Sequence, residues 1–242
     1  MKPTLSLLLA LGAGIAALLP RPAPGAPPVA ASGALIPLPG ADPASAAVAG
    51  VPQGRVTVLS IDQFPAGMRA VLERERAADA LGYQQVDDHD ASDASDASVG
   101  PLLAPAAARA KLRFAPAAID PDAGLRAEGL LLPGPPTMPG PWGSVTHVLR
   151  RPDGVRVYLH DVAYADSGGA VMLVRELLNA SVGGVPARFK LQRSASGQAT
   201  SILAWATERR YFALHVADDV TAPGTAYDRA WMQRVAEAVH VD

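Results

Sequence analysis

The sequence contains no cysteine. A thiolate nucleophile, a cysteine zinc site, an iron–sulfur cluster and a lipid anchor on an N-terminal cysteine are therefore all excluded. So are disulfides, which leaves the fold to rest on its core. There is no basic excess either. The formal net charge is −2, and arginines such as Arg69, Arg74, Arg76, Arg150, Arg151, Arg209 and Arg210 are scattered rather than gathered into a stripe. This balance predicts no nucleic-acid partner.

Several catalytic signatures are missing as well. No Gly-x-Ser-x-Gly elbow is present, and Ser167-Gly168-Gly169 and Ser194-Ala195-Ser196-Gly197 read as turns. Gly183-Gly184-Val185-Pro186 lacks the Lys and Ser/Thr of a phosphate-binding loop. Paired carboxylates of glycosidase type stay open, because separation in space is not written in a sequence. The densest acidic stretch is a repetitive one, a poor platform for precise chemistry.

What is present starts at the N-terminus. Lys2 precedes an apolar run from Thr4 to Leu19, closed by Pro20 and Arg21. The run has the length of an export-signal core and is short for a spanning helix, which needs about 20 residues. Val29-Ala30-Ala31 before Ser32 fits the small-x-small cleavage rule. Residues 1–31 are expected to be a signal peptide, with an uncleaved N-terminal anchor as the alternative. Residues 32–53 continue a Pro-, Ala- and Gly-rich stretch and read as a linker.

Residues 54–242 are expected to form a single domain, with enough apolar material for a core: the whole chain is 49% hydrophobic with a mean hydropathy of +0.15. Within it, Asp87 to Ser98 is a repeat of Asp, Ala and Ser. Asp87, Asp88, Asp90, Asp93 and Asp96 invite a calcium reading, but the central Gly and terminal Glu of a calcium-binding loop are missing. The segment is expected to be a disordered acidic loop over residues 87–98.

The remainder carries hairpin patterning. Ser144 to Arg150 and Val155 to Val162 flank the turn Arg151-Pro152-Asp153-Gly154. Ala187 to Gln192 and Thr200 to Thr207 flank a second turn at Ser194 to Gln198, and Tyr211 to Val216 follows a third at Glu208 to Arg210. Arg55 to Ile61 alternates as a strand, Leu130 to Leu132 is a short one, and Val171 to Leu177 suits strand or helix. Phe64 to Leu81 reads as a helix with Met68, Val71, Leu72 and Ala78 on one face and Arg74, Glu75 and Arg76 turned away from it. A last helix spans about Tyr227 to His240, its apolar face holding Trp231, Val235 and Val239. The fold class predicted is α+β: an antiparallel sheet of about six strands with flanking helices, including one at the C-terminus.

The five histidines are His89, His147, His160, His215 and His240. A register placing Val145, His147 and Leu149 opposite Asp161, Leu159 and Val157 makes one consistent apolar face. His160 then lies on the other face with Thr146, Val148 and Tyr158. The two histidines point apart, so no metal site and no cofactor is expected. Trp205, Tyr211 and Phe212 gather at the last hairpin, where they suit either an apolar ligand groove or a sheet face under the C-terminal helix.

Residues 125–242 resemble the extracytoplasmic domains of membrane-bound anti-sigma factors and related envelope-stress regulatory proteins. The resemblance is carried by Thr200-Ser201-Ile202-Leu203-Ala204-Trp205, Tyr211-Phe212-Ala213-Leu214, and a final helix with Trp231, Ala236 and Val239. Gly129-Leu130-Leu131-Leu132-Pro133 and the hairpin after it fit the same layout. Such proteins carry a cytoplasmic domain before the membrane segment, often with a His/Cys zinc motif. Here only Met1, Lys2 and Pro3 precede the apolar run, so sigma-factor sequestration and its residues do not carry over. What the resemblance implies is a sensory or protein-binding role in the cell envelope, with an envelope protein as partner. The chain is thus expected to be periplasmic or secreted and non-enzymatic, with no catalytic or metal residue assigned and its binding residues unknown. The alternatives are a carrier of a lipid or other apolar ligand, and a hydrolase without a recognisable motif.

Overall fold

The computed structural model describes residues 55–88, 101–133 and 140–241. The expected signal peptide, the linker and most of the acidic loop lie outside these residues. The chain order is β1 (Val56–Leu59), α1 (Ala66–Ala80), β2 (Gln84–Val86), α2 (Pro105–Arg109), β3 (Ala118–Ile119), β4 (Arg126–Leu131), β5 (Ser144–Arg150) and β6 (Arg156–Val162). It continues with β7 (Val171–Val174), β8 (Ala180–Val182), β9 (Val185–Ser194), β10 (Ala199–Ala206), β11 (Tyr211–Val216), α3 (Arg229–Glu237) and β12 (Val239–His240). The fold is α+β, built on an eight-stranded sheet in the order β2-β9-β10-β11-β6-β5-β4, with β8 also on β9. The sheet is mixed rather than purely antiparallel, because β2 joins β9 in parallel. Two small pairs lie off it, parallel β1–β7 and antiparallel β12–β3.

The β5–β6 hairpin has the register that its apolar pattern predicts: Val145 faces Asp161, His147 faces Leu159 and Leu149 faces Val157. Gly154 closes the turn with φ +93, a conformation that costs glycine little. Strand β4 is longer than the predicted Leu130–Leu132 and carries an irregularity between Ala127 and Gly129. Gly129 has φ +151, and a Cβ there would meet Leu102 Cγ at 2.7 Å and the Leu103 carbonyl at 2.9 Å. Only glycine lets the 102–103 segment bridge to Leu130.

One face of the sheet is apolar. Ala187, Phe189 and Leu191 of β9 share it with Leu203 and Trp205 of β10, Phe212 and Leu214 of β11, and Val157 and Leu159 of β6. Helix α3 covers it with Met232, Val235 and Ala236. Asp228 caps this helix, accepting from the Trp231 N–H at 2.8 Å. The helix is shorter than predicted. Val239 belongs to β12 instead of the helical face, and Met232, absent from that predicted face, is fully buried. Segment 105–119 packs beside α3 on the same face, held by a buried ion pair. Arg210 donates to Asp161 at 2.8 Å and to the Ala115 carbonyl at 2.8 Å, and Asp161 accepts from the Ala117 N–H at 2.8 Å.

Trp205 is 3% exposed and stacks on Phe212, with ring centroids 5.1 Å apart. Truncating such a side chain removes its transfer energy and leaves a cavity. Trp205→Ala is therefore expected to destabilise the domain by about 3–5 kcal/mol, read as a lower midpoint in urea. A variant that unfolds like the parent but loses a partner or ligand would move Trp205 from the core to a binding site.

Candidate functional site: the buried polar face of the sheet

The opposite face has a different composition, written by the alternation of β9. Arg188, Lys190, Gln192 and Ser194 occupy every second position. Such a face ordinarily meets water. Here all four residues are buried, with relative exposures of 4–6%. Strand pairing extends this polar surface across Thr200 of β10, His215 of β11, and Tyr158 and His160 of β6 to Thr146 of β5. Buried polar groups are the informative exception in a protein interior.

Helix α1 and the β1–β7 pair cover one end. Leu72, the only buried residue of α1, packs with Ile61, Phe64, Met172, Val174 and Leu177. The helix starts at Ala66, two residues after the predicted Phe64, with Pro65 at its N-cap, and a separate 3₁₀ turn at Ile61–Gln63 lies ahead of it. Glu176 anchors that turn, accepting from Ser60 Oγ at 2.6 Å and from the Ile61 N–H at 3.0 Å, contacts that lower its carboxyl pKa. Val171 and Leu173 of β7 lie over Ala204, Ala206 and Ala213. The Val171–Leu177 segment resolves its ambiguity by being both, a strand to Val174 and then a 3₁₀ turn.

Glu75, which the helical pattern turns away, instead faces the sheet. Arg188 donates from Nη1 to Glu75 at 2.6 Å and from Nη2 to Asp79 at 3.0 Å. Burial raises the Asp79 pKa, and Arg188 beside it opposes the shift. The period of the helix places Glu75 and Asp79 one turn apart, on a single stripe. That spacing was visible in the sequence, but its partner, 113 residues away from Glu75, was not.

The other end holds two histidines. His160 and His215 contact edge to face, with ring centroids 4.6 Å apart, and Thr146 Oγ1 lies 2.8 Å from His160 Nδ1. Both rings are held neutral. Burial, with a contribution from His147, lowers the His160 pKa to about 4, and burial, His160 and Lys190 push His215 well below 6.5. His147 lies on the apolar face, so it and His160 do not converge. Its Nε2 is 3.9 Å from Asp161 Oδ2, too far for a hydrogen bond. Among the described residues no group of three or more His, Cys, Asp or Glu could hold a metal ion. His89 lies outside the described residues, and His240 ends in β12.

Among the described residues, four buried polar atoms on this face have no hydrogen-bond partner: Gln84 Oε1, Arg188 Nε, Tyr211 Oη and His215 Nδ1. The cluster of Trp205, Tyr211 and Phe212 is split by strand alternation. Trp205 and Phe212 sit under α3, while Tyr211 lies on the polar side with Ala204 and Ala213. The three form no common groove. At the rim, Asp88 accepts from the Ser196 N–H at 3.4 Å, and side-chain hydrogen bonds from Ser194 and Ser196 lower its pKa. Asp88, at the start of the expected disordered acidic loop, is therefore in contact with the turn between β9 and β10.

No protein-family model, curated protein or solved structure matches this chain.

The histidine pair makes stability pH-dependent. Both rings have folded pKa values below the unfolded 6.5, so the unfolded chain binds protons first on acidification. Stability should be fully present above about pH 6.5 and decline as the pH falls toward 4. Urea midpoints measured from pH 7.5 to 4.5 should drop across that window. The drop should shrink in a His160→Gln, His215→Gln double variant. Equal pH dependence in parent and variant would show that these rings carry none of the effect.

Proposed function

We propose that this chain is an exported protein of the bacterial cell envelope whose folded domain binds a protein partner in a regulatory or sensory role. The binding reading is supported by how reactive groups are engaged among the described residues: the carboxylates of Asp161, Asp79 and Glu75 are ion-paired, and the two histidines in ring contact, His160 and His215, join no group of three His or acidic residues. Asp161 is bonded to Arg210 and the Ala117 N–H, Asp79 and Glu75 to Arg188, and His147 and His160 lie on opposite faces. General acid–base chemistry needs such groups to converge on one reacting atom. The carrier reading has less support, because Trp205, Phe212, Met232 and Val235 pack together between sheet and helix.

Export rests on Lys2, the Thr4–Leu19 apolar run and the Ala31–Ser32 junction. No helix among the described residues is long and apolar enough to cross a membrane. The regulatory role and the envelope-protein partner rest on the resemblance of residues 125–242 to extracytoplasmic anti-sigma domains.

Expression of the full chain in a bacterial host, with N-terminal sequencing of the product, tests the address. A periplasmic product starting at Ser32 is expected, and an intact Met1 in the soluble cytoplasmic fraction would refute export. The mature domain used as bait on an envelope fraction should retain one protein in stoichiometric amount. Turnover of simple ester or glycoside substrates would favour the enzyme reading instead.

A further inference from the structure

Strand pairing lines up three arginines at one margin of the polar face. Arg126 of β4 lies directly opposite Arg150 of β5, and Arg150 lies opposite Arg156 of β6. The row crosses three adjacent strands, with about 4.8 Å between neighbours. Like charges opposed across strands destabilise a sheet. One carboxylate moderates this row. Glu128 accepts from Arg150 Nε at 2.6 Å and Nη2 at 2.9 Å, and from Arg126 Nη2 at 3.0 Å. The bonds from Arg150 hold the Glu128 carboxyl below its usual range, and the charges of Arg126 and Arg156 add to the effect. Arg150 also donates from Nη1 to the Gly154 carbonyl at 2.7 Å. Three guanidiniums against one carboxylate leave the row cationic. The Arg126 side chain is 72% exposed and Arg156 is exposed. Among the described residues Arg156 has no ion-pair partner. Arg151, Arg188 and Arg210, by contrast, are buried against carboxylates.

We propose that the row of Arg126, Arg150 and Arg156 is the docking surface for an acidic segment of a protein partner, whose carboxylates pair with Arg126 and Arg156 on either side of the occupied Arg150. The inference rests on the protein-binding reading above and adds the place and the chemistry of the contact. A guanidinium takes a carboxylate in two parallel hydrogen bonds, and arginine is enriched among the residues that carry binding energy at interfaces. An opposed row of like charges is a local cost that a partner's carboxylates would relieve. A membrane surface fits less well. Recognition of anionic lipid typically draws on roughly four to eight basic residues, and interfacial binding adds apolar side chains that insert. The nearest apolar neighbours of the row on the same face, Val148 and Tyr158, are buried and offer nothing to insert.

Polyglutamate titrated into the isotope-labelled protein is the first probe. NMR shifts are expected in β4, β5 and β6 and at the Nε–H signals of Arg126 and Arg156, and binding should weaken as salt is raised. An Arg126→Gln, Arg156→Gln double variant should bind about tenfold more weakly or worse. Both side chains are exposed and oppose a like charge, so this variant should melt at or above the temperature of the parent. Absent binding, binding that the substitutions leave unchanged, or a clearly lower Tm in the variant would each overturn the row as a docking surface. Tighter binding of phosphatidylglycerol vesicles than of polyglutamate through the same residues would assign the surface to a membrane and overturn it too. Parent and variant are then used as baits on an envelope fraction. A protein held by the parent, released by polyglutamate and lost from the variant supports the proposal. Equal retention by both overturns the row and leaves the protein-binding reading standing. Retention by neither overturns that reading, and this inference with it.

Discussion

Arg188 lies on the side of the sheet that its strand makes polar, and the fold buries it. Its two terminal nitrogens reach Glu75 and Asp79 on a helix more than a hundred residues earlier. A buried charge without a partner costs several kcal/mol, and losing one member of a buried pair typically costs about 3–5 kcal/mol. The complete pair contributes much less net, because desolvation offsets the attraction. Burial raises the Asp79 pKa despite the nearby guanidinium, which is that same opposition seen from the acid. Helix α1 buries only Leu72 fully. Apolar contact therefore leaves its rotation loosely specified, and the fork of Arg188 defines which stripe faces the sheet.

The apolar face repeats this device with different residues. Arg210 bonds Asp161, reaches the Ala115 carbonyl and lies 4.3 Å from the centroid of the Phe114 ring. Arg151 bonds Asp153 and Asp218 and sits 4.0 Å over Tyr227, next to the start of α3. Arginine suits these positions because its planar fork serves several acceptors while its face stacks on an aromatic ring. Each of these three arginines ties a peripheral segment to a strand or hairpin of the sheet: α1, the 113–117 segment, and the approach to α3. Their scatter along the chain, read from sequence as the absence of a basic stripe, is in space a set of separate clamps.

Local patterning made the hairpins legible. In β5–β6 the alternation of apolar residues admits one register, because a one-residue slip would place Arg156 among apolar side chains. The turns at Ser194–Gln198 and Glu208–Arg210 were readable for the same reason. Long-range pairings were not. The parallel partners β1 and β7 lie far apart in sequence, and nothing in Val56–Leu59 names Val171–Val174. Strand β2 is three residues long and joins β9 with no turn between them to announce the pairing. The polar face was visible as alternation in β9, but alternation cannot say whether the polar side meets water or a second layer. Only the surplus of acid on the buried stripe of α1 bears on that question, and it becomes evidence once Arg188 stands opposite.

The division between the two faces also decides where recognition chemistry can reside. Trp205 and Phe212 are fully used in packing against each other and against α3. Tyr211, one position before Phe212, faces the other way and keeps an unsatisfied hydroxyl, as His215 keeps an unsatisfied ring nitrogen. Buried unsatisfied atoms are rare in native interiors, and each marks a guest, an ordered water or a stored cost. Four of them share the polar face of a single sheet. The apolar face contributes the large cluster under α3, and the polar face adds the Arg188 clamp and the apolar cover of α1 and β7. The polar face holds the chemistry that packing alone does not require, and a ligand or partner that bonds buried side chains would have to reach it by displacing part of its cover.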